Sequence, residues 1–217
     1  MSRNEKTAAE KKIVVCISGM AGTGKSTLAK KLAQKYGLRY YSGGDALKEL
    51  AKEEGYNPSA RGWWESPEGL SFLKKRESNP QFDKIVDDKL LQYAQQGNVI
   101  LDSWAMPWLL KTGFKIWLSA SEEKRAQRIA KRDGISVENA LLMLREKEAR
   151  TKAIYEKLYG FKLGEDLEPF HLILDTDNLD ANEVFHILCM IMDNLILKSG
   201  LNITLSDTRN YNRKLGL

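Results

Sequence analysis

Cysteine is scarce in this chain, with two in 217 residues. Cys16 and Cys189 both fall in apolar stretches and read as small buried hydrophobes, which excludes a disulfide framework and suits a reducing cytoplasm. Long hydrophobic runs are missing as well. No stretch approaches the ~18 apolar residues that a membrane span needs, so no membrane partner is expected. The opening Met1–Lys11 is polar and has no apolar centre, which excludes a secretory leader. The chain is too short for two domains of ordinary size, and it shows no internal repeat or low-complexity segment. Positive charge exceeds negative by five. Nucleic acid is nevertheless disfavoured as a partner, because a protein that surrounds a polyanionic small molecule needs such an excess anyway.

What is present is an alternation of short apolar runs with amphipathic stretches. Ile13–Ile17, Leu38–Tyr41, Val99–Asp102, Lys115–Leu118 and His171–Asp175 read as strands. Helices are expected over about 25–36, 45–54, 80–96, 121–133, 136–159 and 184–197. Gly37, Gly97, Gly134 and Gly160 act as stops, and Ser119, paired with Glu122, and Ser136 act as caps. The 80–96 helix should bury Ile85, Leu90, Leu91 and Ala94. Strands alternating with helices predict an α/β fold with a five-stranded parallel sheet and helices on both faces. Residues 55–79, with Trp63-Trp64, Pro58, Pro67 and a basic cluster Lys74-Lys75-Arg76, have no regular period and are expected to form a long functional loop. Residues 199–217 carry no pattern and read as a tail to a single 1–198 domain.

The first strand runs into Gly19-Met20-Ala21-Gly22-Thr23-Gly24-Lys25-Ser26, which fits G-x-x-x-x-G-K-[ST]. Its three glycines let backbone N–H groups curl around an anion, and the positive end of the following helix points at the same spot. Lys25 should reach the β- and γ-phosphates of a nucleotide, and the Ser26 hydroxyl should take a place on Mg²⁺. Asp102, a carboxylate ending a buried strand, should hold the same ion. Ser42-Gly43-Gly44-Asp45 reads as a helix N-terminus facing a second substrate. Arg125, Arg128 and Arg132 lie at i, i+3 and i+7 on one helix face opposite Ala126, Ile129 and Ala130. A second charged helix with Arg145, Lys147, Arg150 and Lys152 follows, hinged at Gly134. Phosphoryl transfer explains such a hairpin, since a mobile arginine-bearing lid stabilises charge and excludes water.

From Lys12 to Leu197 the sequence resembles the archaeal-type cytidylate kinases of the nucleoside monophosphate kinase group, a branch of the P-loop kinases. The resemblance is carried by the phosphate loop, Tyr41-Ser42-Gly43-Gly44, Lys115-Ile116-Trp117-Leu118, Arg125 through Glu138, Tyr155–Gly160 and Leu174-Asp175-Thr176. It implies an ATP- and Mg²⁺-dependent transfer of the γ-phosphoryl group to CMP or dCMP. Gly19, Ala21, Gly22, Thr23, Gly24, Lys25, Ser26 and Thr27 would hold ATP, and Ser26 and Asp102 the metal. Asp102 takes the place of the family's usual glutamate. Arg128 and Arg132 match lid arginines in a lid of about 121–160, and the loop after Thr176 would lie near adenine. The acceptor would sit in an insert of about 42–97, against Ser42, Gly43, Gly44, Lys48, Lys84 and Trp104.

The chain also departs from the family. Lys48 stands where an arginine is usual, Asp102-Ser103-Trp104 where the family reads glutamate-glycine-arginine, and Lys147 and Lys152 where arginines are commoner. Each lost charge-assisted bond to phosphate is worth roughly 1.5–3 kcal/mol. Lys74, Lys75, Arg76 or Lys84 could restore the charge, or the acceptor differs. Trp63, Trp64, Trp104 and Trp108 all fall in the acceptor region, where a base could stack, with packing the expectation for Trp108. The alternatives are a kinase of another acceptor, or a nucleotide-dependent regulatory protein without acceptor phosphorylation. No N-K-x-D motif supports a GTPase. A monomer is the expected state, with a dimer as the alternative.

Overall fold

The structure, a computed structural model, describes residues 12–60 and 62–199. Met1–Lys11 and the tail from residue 200 onward, both subjects of expectations above, lie outside the described residues. Strands β1 (Val14–Gly19), β2 (Arg39–Ser42), β3 (Val99–Asp102), β4 (Phe114–Ser119) and β5 (Leu172–Asp175) form one sheet in the order β2-β3-β1-β4-β5. Every pairing is parallel, as the alternation of elements requires.

Central β1 shows why the sheet is covered on both faces. Val15 and Ile17 point into a core shared with α1 (Lys25–Tyr36) and α8 (Ala181–Ser199), whereas Cys16 points the other way. That second core packs against α2 (Gly43–Glu53), α3 (Pro67–Ser78), α4 (Gln81–Gln96) and the short α5 (Met106–Leu109). Both cysteines are buried and free. Leu28, Leu32 and Tyr36 bury the expected face of α1, which ends at left-handed Gly37. Two further helices, α6 (Glu122–Asp133) and α7 (Val137–Tyr159), pack on each other through Ala126, Ile129, Ala140 and Leu144.

Three expectations are corrected. Residues 55–79 are not one long loop. Ser66 caps α3 by accepting from the Gly69 N–H, Pro67 occupies its first turn, and Phe72 and Leu73 anchor it. A 3-10 turn at Trp63–Glu65 precedes it, and α3 packs on α7. The cap of α6 is Ser121 instead of Ser119, since Ser119 is still paired in β4. On α4, Ile85 is 52% exposed, and the buried face carries Phe82, Val86 and Leu90 together with Asp83 and Asp87. Those two carboxylates are paired with Arg76 and Tyr159, which a purely apolar pattern cannot anticipate.

Candidate active site

Because β1 lies between β3 and β4, the loops after β1 and β3 open at the same carboxyl edge of the sheet, where open α/β sheets place their ligands. A cleft of about 610 Å³ lies there. One wall is the phosphate loop and the start of α1, Ala21 through Thr27. Gly24, at the N-terminus of α1, has φ +88°. Gly22 has φ +83°, and a Cβ there would lie 2.7 Å from the Arg125 carbonyl oxygen, so the loop needs glycine for its backbone and for its close seat on α6. Thr23 turns inward, its hydroxyl donating to the Met20 carbonyl at 3.0 Å. Lys25 donates to the same carbonyl at 3.4 Å, with its ammonium 5.4 Å from the centre of the Trp104 ring.

The end of β3 contributes Asp102 to the floor, 3% exposed and accepting from the Tyr40 hydroxyl at 3.1 Å. Register places it beside Ile17 of β1 and Ser42 of β2. Ser42 caps α2 through the Asp45 N–H, so Ser42, Gly43 and Gly44 present that helix N-terminus to the cleft. Among the described residues no group of three His, Cys, Asp or Glu side chains could hold a metal unaided. A single hydroxyl, Ser26, and a single carboxylate, Asp102, do fit Mg²⁺, which keeps waters and phosphate oxygens as its other ligands.

The roof comes from α6 and α7. Arg128 lines the cleft and donates to the Thr176 hydroxyl at 3.2 Å and carbonyl at 2.8 Å. Arg132 lines it too, and its guanidinium meets the Asp133 carboxylate at 2.5 and 2.7 Å. Arg125 does not share their face. It is 7% exposed and turned into an ion pair with Glu148 of α7. The loop after β5 closes this end with Thr176, Leu179 and Asp180.

At the far end Trp64 lines the cleft, with Arg76 6.0 Å and Lys147 5.6 Å from its ring centre. Arg76, the member of the basic cluster that reaches the cleft, is 4% exposed and forks onto Asp83 at 2.6 and 3.2 Å. Asp87 accepts from the Tyr159 hydroxyl at 2.6 Å. Its burial, with the charge of Asp83 adding to it and the Tyr159 hydroxyl opposing, raises its pKa to about 7. The hydroxyl of Thr151, 1% exposed, has no hydrogen-bond partner among the described residues and belongs to the same wall.

Other expected residues lie elsewhere. Lys84 is on the exposed face of α4, and Lys48, half-buried on α2, is absent from the cleft wall. Gly19 sits behind the loop, its carbonyl accepting the Trp104 indole N–H at 2.6 Å. Trp63 is core, and Trp108 stacks on Phe161 at 4.0 Å, outside the cleft. Sequence reasoning missed Asp83, Asp87, Glu148, Thr151 and Tyr155. Asp83 and Asp87 had a signal, since they share the helical face of Val86 and Leu90. Glu148 had none among so many charged neighbours.

The family model of the cytidylate kinase-like family matches residues 14–178. A cytidylate kinase of Pyrococcus horikoshii is 36% identical over 185 residues, covering 85% of this chain and 90% of its own length. A cytidylate kinase of Methanocaldococcus jannaschii is 36% identical over 188 residues, 84% of this chain and 99% of its own. Among solved structures, an uncharacterised protein from Eubacterium ventriosum aligns over 85% of this chain and 99% of its own, with TM-score 0.58 and 18% identity. A shikimate kinase from Bacteroides thetaiotaomicron aligns over 84% and 98%, with TM-score 0.50 and 15% identity, a likeness of fold.

Proposed function

Because the chain belongs to the cytidylate kinase-like family, we propose that it transfers the γ-phosphoryl group of ATP, with Mg²⁺, to CMP or dCMP. The observation that carries this reading is that one cleft is walled at one end by the phosphate loop and at the other by the Ser42–Gly44 turn, with Asp102 below and two arginines above. A cleft so built suits two substrates meeting in line.

In this reading the amides from Gly22 to Thr27 cradle the β- and γ-phosphates, and Lys25 leaves the Met20 carbonyl to neutralise them. Ser26 and Asp102 would hold the Mg²⁺, which would supply charge neutralisation on the phosphates. An acceptor phosphate oxygen, already ionised, attacks the γ-phosphorus while the bond to the β-phosphate oxygen breaks, so no protein base is required. Arg128 and Arg132 stabilise the charge spread over the transferred group. Thr176 and Leu179 lie where adenine would rest, and Trp64, Thr151 and the Arg76–Asp83 pair lie where an acceptor base would rest. Lys147 brings a cation to that end, whereas the Arg76 guanidinium is committed to Asp83.

Incubation with ATP, Mg²⁺ and a panel of nucleoside monophosphates and small hydroxyl metabolites, read as ADP release, tests the reading. Stimulation by CMP or dCMP above the others is expected, and ATP binding without stimulation by any acceptor would overturn it. Lys25→Ala should cut turnover by about a hundredfold or more with the fold intact by circular dichroism.

A further inference from the structure

Ala21 is held at both of its backbone polar groups by side chains from the two roof helices. Its N–H donates to Glu148 Oε1 at 3.2 Å, and its carbonyl accepts from Arg125 Nη1 at 3.1 Å. Arg125 and Glu148 are themselves paired, Nη1 to Oε1 and Nη2 to Oε2, and Arg125 Nε donates to the Ala120 carbonyl at 3.1 Å. Both side chains are more than nine-tenths buried as residues. A buried ion pair is poor value as a source of stability, because desolvation offsets the attraction. Here the pair instead fixes the two successive peptide planes that meet at Ala21, at the start of a loop whose later residues line the cleft. Glu148 also belongs to the stretch of α7 that puts Lys147 and Thr151 on the cleft wall.

We propose that Arg125 and Glu148 are positioning residues that hold the phosphate loop in its nucleotide-receiving shape, making that shape depend on the seating of α6 and α7. The proposal rests on the phosphate loop being the ATP site. With Ala21 tethered, the Gly22–Thr27 backbone that lines the cleft is held in place before nucleotide arrives. Without the tether the loop must be ordered at the expense of binding.

Titration of the full chain with a non-hydrolysable ATP analogue and Mg²⁺ tests this. Glu148→Gln, which keeps an acceptor for the Ala21 N–H but breaks the pair, should weaken the analogue tenfold or more. In assays it should raise KM for ATP similarly while kcat at saturation changes less than threefold. The double variant R125M/E148L replaces the pair by apolar side chains of similar size, which buried pairs tolerate well. It should remain folded, show the same loss of affinity, and exchange the Ala21 amide hydrogen faster than the wild type without nucleotide. A double variant that folds and binds the analogue within twofold of wild type would overturn the proposal and assign the pair to packing alone. A wild-type protein that fails to bind the analogue would instead overturn the ATP reading, and the positioning role with it.

Discussion

The Trp104 indole is committed to the phosphate loop. Its N–H donates to the Gly19 carbonyl, and its ring lies under the Lys25 ammonium. If Trp104 merely replaced a substrate arginine, Trp104→Arg would be expected to improve CMP turnover. The contacts reverse that expectation, because a guanidinium there would oppose Lys25 and give up the ring that Lys25 faces. KM for ATP should rise by about threefold to tenfold in Trp104→Arg. Improved CMP turnover with KM for ATP unchanged would return the residue to the acceptor side. Arg125 makes the same point in another way. Its i, i+3, i+7 spacing with Arg128 and Arg132 promised one shared face, but Glu148 turns it inward.

At the scale of elements, α3 converts what reads as a loop into part of the enclosure. It packs against α7 and presents Arg76 to the cleft. Its N-terminus depends on Ser66, whose hydroxyl accepts from the Gly69 N–H at 3.1 Å while donating to the Trp63 carbonyl at 2.7 Å. Ser66→Ala should therefore destabilise the protein by about 1 kcal/mol, measured as a lower urea midpoint with unchanged slope. An equal midpoint would mean that α3 is held by Phe72 and Leu73 alone. The helix was illegible because Pro67, Gly69 and the tryptophan pair look like punctuation when read singly. The Ser66-Pro67 pair nevertheless carries a cap and first-turn signal of its own. By contrast α1, α6 and α7 were legible within a residue or two, since glycine stops and apolar spacing agree in each.

For the whole molecule, Asp87 adds a pH dependence to stability. Asp87 titrates at about 7 in the folded protein, against an ordinary 3.8, with Asp83, Asp88, Arg76 and Tyr159 as its charged and titratable neighbours. The folded state thus holds a proton that the unfolded chain has lost, so this group's contribution is complete below about pH 4 and disappears as pH rises through 7. Thermal unfolding should show that decline between about pH 4 and 7, and Asp87→Asn should flatten it and be the more stable form above pH 7. A profile unchanged by the substitution would place the titration on another group. The sequence by itself determined the parallel α/β architecture, the phosphate loop and the carboxylate ending β3. Each is a local pattern, a period of apolar residues or a glycine spacing, that holds whatever surrounds it. Only the tertiary structure decided that Arg125 braces the loop, that Lys84 faces solvent, and that Arg76, Trp64 and Thr151 gather at the far end of the cleft. Those assignments depend on which distant side chain meets each one, and burial makes every such meeting obligatory once the helices pack.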